Sequence, residues 1–173
     1  TYYKLGQDFA TFAIGQATPA GRYDVVVRNQ AGQRAAWSLP DLKRVTVEPS
    51  VTSISPARGS VFGGTVVTLS GFGFPKCADA AACNDTSVHM QVSDTDYRQV
   101  QCKVAQSTAN SLQCELQAAY FDIQGEDLSV AKLFVKIGND ENALEATKAI
   151  AFTLFSYTVD SVQPATVQPT DTS

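Results

Sequence analysis

Short stretches in which apolar and polar residues alternate recur along most of the chain, separated by glycine, proline and asparagine. An alternation of period two is typical of β-strands that bury one face and expose the other. The alternating stretches are Val25–Val27, Trp37–Leu39, Val45–Val47, Val66–Ser70, Val88–Val92, Val100–Val104, Leu112–Leu116, Leu133–Ile137 and Ile150–Leu154. Their spacing of roughly 10–15 residues predicts an all-β fold, an antiparallel sandwich of short strands.

Two connections between these strands have a recognisable composition. Asn29–Gly32 has the residues of a hairpin turn and would join the first two strands. Glu141–Lys148 is the only stretch whose residues tolerate a helix, and we expect a turn or a short helical excursion there, between the last two strands.

A seven-residue pattern occurs twice in the chain. Val51–Ala57 and Val159–Ala165 share V-x-S-[IV]-x-P-A at a separation of 108 residues, about the length of one β-sandwich domain. The repeat favours a tandem array in which each domain opens with this segment. Residues 1–48 would then be the C-terminal strands of a preceding β-sandwich domain. Residues 158–173 would begin a following repeat, or form a linker or tail.

The cysteines indicate an oxidising compartment. Four of them lie within 38 residues, at Cys77, Cys83, Cys102 and Cys114. An even number of clustered cysteines in a β-rich chain is typical of disulfides, and the gaps of five, eighteen and eleven residues fit zinc ligation poorly. Asn84 opens a glycosylation sequon, Asn-Asp-Thr, between the second and third cysteine, and a glycan there would keep the loop exposed to solvent.

Charge and hydropathy exclude two classes of partner. The chain has 13 Lys and Arg against 17 Asp and Glu, a formal net charge of −4. A nucleic-acid-binding protein needs a basic surface to displace counterions, so we expect no nucleic-acid partner. No run of about 18 apolar residues exists that would span a membrane, so we expect membrane attachment only through an anchor outside this chain.

Residues that could support catalysis or metal binding are few. His89 is the only histidine, and it lies on a predicted strand where a nucleophilic triad is not apparent. The acidic residues of Asp94–Asp96 and Asn139–Glu141 could ligate calcium, but neither segment has a recognised ligand loop, and turn formation explains both. We therefore expect no catalytic residue, no cofactor and no metal, and predict that the protein is not an enzyme.

A longer motif points to a known family. The motif pairs I-x-P-x-x-G-S-x-x-G-G-T-x-V-T-L-x-G-x-x-F with a C-x-V…C strand pair and an aromatic closing strand. Its parts are Val51–Pro56, Gly59–Ser60, Gly63–Phe74, Cys102–Val104, Leu112–Cys114 and Phe155–Tyr157. Residues 51–157 thus resemble the IPT/TIG family of immunoglobulin-like domains. The resemblance implies a complete immunoglobulin-like antiparallel β-sandwich over this range.

The resemblance also suggests how the cysteines pair. In the family a pair like Cys102 and Cys114 ties adjacent strands, and their spacing suits neighbouring strands or a hairpin. Cys77 and Cys83 would then close a small loop within an insertion, residues 76–85, that the shortest family members lack. The sequence alone leaves the alternative pairings open.

The family implies a function as a module. Its best-known members include cell-surface receptors and adhesion proteins, so we expect an extracellular module of a cell-surface or secreted protein. It would act in adhesion or recognition, or as a spacer or filament unit. Its partners would be proteins: neighbouring immunoglobulin-like domains, further copies or receptors.

Two other IPT/TIG classes are alternatives. A carbohydrate-associated accessory domain of a secreted enzyme would expose aromatic pairs; Tyr2, Tyr3 and Trp37 are candidates, although Trp37 more plausibly packs in the core of the preceding domain. A DNA-associated domain of the Rel type would need a larger basic cluster than Lys43–Arg44, and the paired cysteines oppose it.

Overall fold

The computed structural model describes residues 3–5, 10–28, 30–34, 44–92, 98–119, 127–138 and 144–156. Within these ranges the regular secondary structure consists of β-strands. The strands are β1 (Tyr3–Leu5), β2 (Ala10–Phe12), β3 (Gly21–Asp24), β4 (Arg44–Val47), β5 (Ser50–Ser55), β6 (Arg58–Ser60), β7 (Val66–Phe72), β8 (Thr86–Gln91), β9 (Gln99–Ser107), β10 (Ser111–Leu116), β11 (Leu128–Ile137) and β12 (Leu144–Phe155).

Strands β5 to β12 form one continuous hydrogen-bonded order, β5-β7-β10-β9-β8-β11-β12-β6. This order folds over on itself around a single apolar core, as an immunoglobulin-like sandwich does. The prediction of an all-β, immunoglobulin-like sandwich is therefore confirmed. One pairing is not antiparallel: β6 runs parallel to β12, with Gly59 opposite Leu154. The predicted antiparallel sandwich therefore has one parallel pair, at this edge.

The core is filled by alternate residues of the central strands, as period-two burial requires. On β7, Val67 and Leu69 are buried while Val66 is exposed. The largest fully buried side chains are Phe74, Phe152, Leu69, Met90, Leu112, Leu116, Leu133 and Leu154. Val61, also buried, links two elements: its N–H donates to the carbonyl of Phe155, and its carbonyl accepts from Ala119 N–H. The strands that the alternation predicts inside the sandwich thus form its core.

Two glycines allow the sandwich strands to approach closely. A Cβ on Gly71 would overlap the carbonyl oxygen of Ser50 on the neighbouring strand β5. A Cβ on Gly59 would lie 2.5 Å from a methyl carbon of Leu116 and 3.0 Å from the ring of Phe152. Both positions therefore require the absence of a side chain, which explains these glycines without any ligand.

The expectation of a turn or a short helical excursion at residues 141–148 is wrong for the described part of that stretch. Residues 144–148 form the beginning of β12, where Leu144 pairs with Ile137 and Ala146 pairs with Val135 of β11. Ala146 is buried and its neighbours Glu145 and Thr147 are exposed. Cross-strand pairing with one apolar side chain inward therefore outweighs the local helix tolerance.

The N-terminal part forms two separate two-stranded ribbons, β1–β2 and β3–β4, which we call the N-terminal ribbons. The predicted strand at Val25–Val27 is wrong in position: the regular pairing is Gly21–Asp24 with Arg44–Val47, and Arg28 and Arg34 form an isolated bridge beyond it. In the sequence, the proposed turn at residues 29–32 lies between the two residues of this bridge. The predicted partner strand at Trp37–Leu39 lies outside the described residues.

Candidate functional site

The disulfide between Cys102 and Cys114 lies inside the sandwich. It joins the neighbouring strands β9 and β10, with 5.4 Å between the two Cα atoms. Both residues are buried in the core. The register between these strands shifts between Gln113 and Cys114, so that Cys114 faces Val104 in the ladder. This cross-link therefore ties two core strands and presents no reactive sulfur to solvent.

The disulfide between Cys77 and Cys83 closes a surface loop between β7 and β8. Its Cα atoms are 5.4 Å apart, and Cys83 is buried. Cys77 and Ser107 exchange two backbone hydrogen bonds of 3.0 and 2.9 Å, which anchor the loop to the end of β9. Inside the loop, a carboxylate oxygen of Asp79 accepts from two successive backbone N–H groups at 3.0 and 2.9 Å. The loop is therefore held by a covalent bond, a strand bridge and a carboxylate cap.

The sequon follows directly after this loop. Asn84 is exposed, whereas Thr86 is only 7% exposed and begins β8. The N–H of Thr86 donates to the carbonyl of Cys83, and the carbonyl of Asp85 accepts from Gly138 N–H at 2.7 Å. Backbone bonds on both sides thus fix the segment that carries the Asn84 side chain.

Asn84 is one of the residues that line a groove beside β8 and β9. The groove has a volume of about 340 Å³, and we call it the β8–β9 groove. Its polar lining includes Asn84, Thr86, His89, Gln101, Lys103 and Gln117. Thr86 Oγ1 and His89 Nδ1 are buried there without a hydrogen-bond partner among the described residues. A surface rich in donors and acceptors suits a polar ligand better than an apolar one.

A larger groove of about 760 Å³ lies beside the Cys77–Cys83 disulfide. It runs along the ends of β9 and β10, where Gln106 Nε2 donates to Gln113 Oε1. Ser107, Thr108 and Ser111 line it as well, and Lys76 is its charged residue. Apart from Lys76, the polar side chains of this groove are uncharged hydrogen-bonding groups. Its lining residues include no carboxylate or histidine that could act as a base beside a nucleophile.

The candidate catalytic and metal-binding residues do not assemble into a site in the described part of the chain. His89 lies on β8, and its Nδ1 has no hydrogen-bond partner among the described residues. The described ranges contain no group of three His, Cys, Asp or Glu side chains that could hold a metal ion. Asp94–Asp96 and Asn139–Glu141 lie outside the described residues.

The candidate sugar-stacking aromatic residues stay a prediction. Tyr2 and Trp37 lie outside the described residues, and Tyr3 is described only as part of the backbone of β1. Where the structure describes the chain, it has no helix that is both long and apolar enough to cross a membrane.

Sequence reasoning missed the β8–β9 groove. Thr86, Val88 and Met90 share one face of β8, so period two does indicate that Thr86 points inward. Nothing in the sequence shows that its hydroxyl lacks a partner, because that depends on neighbours from β9 and from the loop. The position of Asn84 beside the groove likewise follows from the tertiary structure.

Comparison with protein families gives one assignment. Residues 49–131 match the model of the IPT/TIG domain family, which confirms the resemblance stated above over that range. The match ends inside β11, although the sandwich continues through β12. No curated protein matches the chain.

Similar solved structures are distant in sequence. One is the solution structure of the TIG domain from human nuclear factor of activated T-cells, cytoplasmic 4, with 18% identity and a TM-score of 0.43; the alignment covers 62% of this chain and 88% of that one. Another is a crystal structure of a candidate phosphatase from Bacteroides thetaiotaomicron VPI-5482, with 13% identity and a TM-score of 0.42. It aligns with 61% of this chain, and this chain spans only 18% of its length.

Proposed function

Residues 49–131 are an IPT/TIG domain, and from this premise we propose that the chain is a non-catalytic extracellular section of a multidomain cell-surface or secreted protein. It acts in adhesion or recognition through the surfaces it presents, and as a spacer that holds neighbouring modules apart.

The observation that carries the extracellular proposal is that all four cysteines are paired in disulfides. One disulfide is buried between core strands and the other closes a surface loop. Disulfides of this structural kind persist in secreted and cell-surface proteins and are rare where thiols are kept reduced. The acidic net charge of −4 opposes a role on nucleic acid, which is the main intracellular alternative for this family.

The spacer role rests on the N-terminal ribbons. None of the described residues from 12 to 34 or from 44 to 47 is buried. Phe12, Ile14, Tyr23 and Val45 instead line an apolar groove of about 260 Å³. We propose that strands of a preceding immunoglobulin-like module cover this face, since one module length, 108 residues, separates the repeated segments.

The junction between the ribbons and the sandwich is short. Only two residues, Glu48 and Pro49, separate β4 from β5. The N–H of Ala20 donates to the carbonyl of Gly73 at 2.7 Å, across the junction. Gly73 has φ +79°, and a Cβ there would lie 3.2 Å from Cα of Pro49. A close-packed, two-residue link favours modules held at a fixed spacing over freely jointed ones.

Peptide mapping without reduction, on protein taken from its native source, tests the proposal. We expect disulfide-linked peptides that join Cys77 to Cys83 and Cys102 to Cys114. Denaturation in the presence of excess alkylating agent traps any free thiol, buried ones included, and controls for pairing during work-up. Free Cys102 and Cys114 in freshly alkylated native material would contradict the extracellular assignment.

A further inference from the structure

We propose that Asn84 carries an N-linked glycan whose first sugar lies in the β8–β9 groove and covers Lys103. This proposal rests on the extracellular location proposed above, because N-glycosylation belongs to the secretory pathway. Asn84-Asp85-Thr86 is the only Asn-X-Ser/Thr sequence in the chain, so one modification site is predicted.

The fold presents Asn84 as an acceptor site requires. Its side chain is exposed, and the preceding loop is held by the Cys77–Cys83 disulfide. The residue after it, Asp85, is fixed through its carbonyl to Gly138 N–H. A fixed backbone limits the directions in which an attached sugar can leave Asn84, so its position relative to β8 and β9 is restricted as well.

The groove beside Asn84 has the chemistry of a sugar-binding surface. Gln101 and Lys103 are exposed on β9, and His89, half-buried, lies opposite Gln101 on β8. An amide, an ammonium group and an imidazole together donate to and accept from sugar hydroxyls. Asn84 is itself one of the residues that line this volume of about 340 Å³. Because Asn84 lines the same groove as these groups, a sugar attached at Asn84 leaves the chain at the wall of that groove.

The modification is a group transfer. The side-chain nitrogen Nδ2 of Asn84 forms a bond to the anomeric carbon of an oligosaccharide carried on a lipid diphosphate. The bond between that carbon and the diphosphate oxygen breaks, the lipid diphosphate leaves with the electron pair, and the amide nitrogen loses one proton. No oxidation or reduction takes place.

Occupancy is tested on the full 173-residue chain, directed through the secretory pathway of a eukaryotic cell by an added leader. We expect a glycosylated mass that peptide N-glycosidase removes, with conversion of the modified asparagine to aspartate. Asn84→Gln and Thr86→Val should lose the modification, whereas Thr86→Ser and the matched surface variant Asn110→Gln should keep it. Secreted, folded protein with an unmodified Asn84 would overturn the proposal. Because the leader supplies the location, that result would leave the extracellular proposal to its own test.

Docking of the sugar in the groove is tested by amine labelling before and after enzymatic removal of the glycan. Lys103 lines the groove, whereas Lys148 is exposed on β12 and does not. We expect labelling of Lys103 to rise several-fold when the glycan is removed, with labelling of Lys148 unchanged. Equal labelling of Lys103 in the two forms would show that the sugar points into solvent and would overturn the docking.

Discussion

The N-terminal ribbons and the eight-stranded sandwich are built from the same alternation of apolar and polar residues, but only the sandwich buries its apolar side chains. In the ribbons, Phe12 on β2 and Tyr23 on β3 are 44% and 39% exposed. In the sandwich, Val67 and Leu69 are fully buried. The number of strands that share a face accounts for this difference.

This contrast shows what period two does and does not determine. Alternation favours a strand with one apolar face, but burial needs a second sheet to cover that face. Two-stranded ribbons are marginally stable by themselves, whereas eight strands around one core support each other. The ribbons should therefore behave as part of a module that needs neighbouring strands, and the sandwich as a module that does not.

Removing the core disulfide should have the largest effect and should be confined to the sandwich. The double variant Cys102→Ala/Cys114→Ala should lose about 3 kcal/mol of unfolding free energy, because the unfolded chain regains the entropy of the open loop. The Cys77–Cys83 disulfide closes a shorter loop, so the variant Cys77→Ala/Cys83→Ala should lose about 2 kcal/mol of unfolding free energy. Guanidinium unfolding followed by circular dichroism measures both. A larger loss for the surface pair would contradict the account of the core.

Substitution of Gly71 should test how tightly the sandwich strands pack. Gly71→Ala places a methyl group against the carbonyl of Ser50, so β5 must move away from β7, at a cost of about 2 kcal/mol. Ser70→Ala, at the neighbouring exposed position, should change stability by less than about 0.5 kcal/mol. Equal effects of the two variants in thermal unfolding would show that β5 and β7 are less closely packed than described.

The same contrast explains which features could be predicted from sequence. The strands around Val67, Cys102 and Cys114 were predicted because each has one face in the core, so periodicity and burial coincide. The parallel pairing of β6 with β12 was not, since three residues around Gly59 have no periodic signal and their partner is distant in sequence. The groove beside Asn84 could not be predicted because it depends on how β8, β9 and the disulfide loop come together.

Substitution of Gly73 should separate the junction from the sandwich. Gly73 and Gly64 both have positive φ, so alanine at either should cost about 1 kcal/mol of backbone strain. Only at Gly73 does the added methyl group meet Pro49, whereas the space around Gly64 is open. Hydrogen exchange of the Ala20 amide, which donates to Gly73, should therefore accelerate in Gly73→Ala alone. Acceleration in both variants would mean that the two regions are coupled through more than this contact.

Removing a surface ion pair should change stability the least of these substitutions, and by a similar amount in the two regions. Arg58 and Asp127 meet at 2.9 Å in the sandwich, and Arg44 and Asp24 at 3.3 Å in the ribbons, all with more than half of the side chain exposed. Asp127→Asn and Asp24→Asn should each change stability by less than about 1 kcal/mol, and less still at high salt. A loss well above this from either variant would show that charge pairing, and not burial, distinguishes the regions.

Hydrogen–deuterium exchange with mass spectrometry tests the central claim most directly, on the full chain and on the same chain extended upstream as in its natural reading frame. The account predicts slow exchange for β7 to β11 in both proteins. It also predicts fast exchange for β3 and β4 in the shorter chain, which slows when the preceding strands are present. Slow exchange of β3 and β4 in the shorter chain, or no change on extension, would contradict the view that the ribbons belong to a neighbouring module.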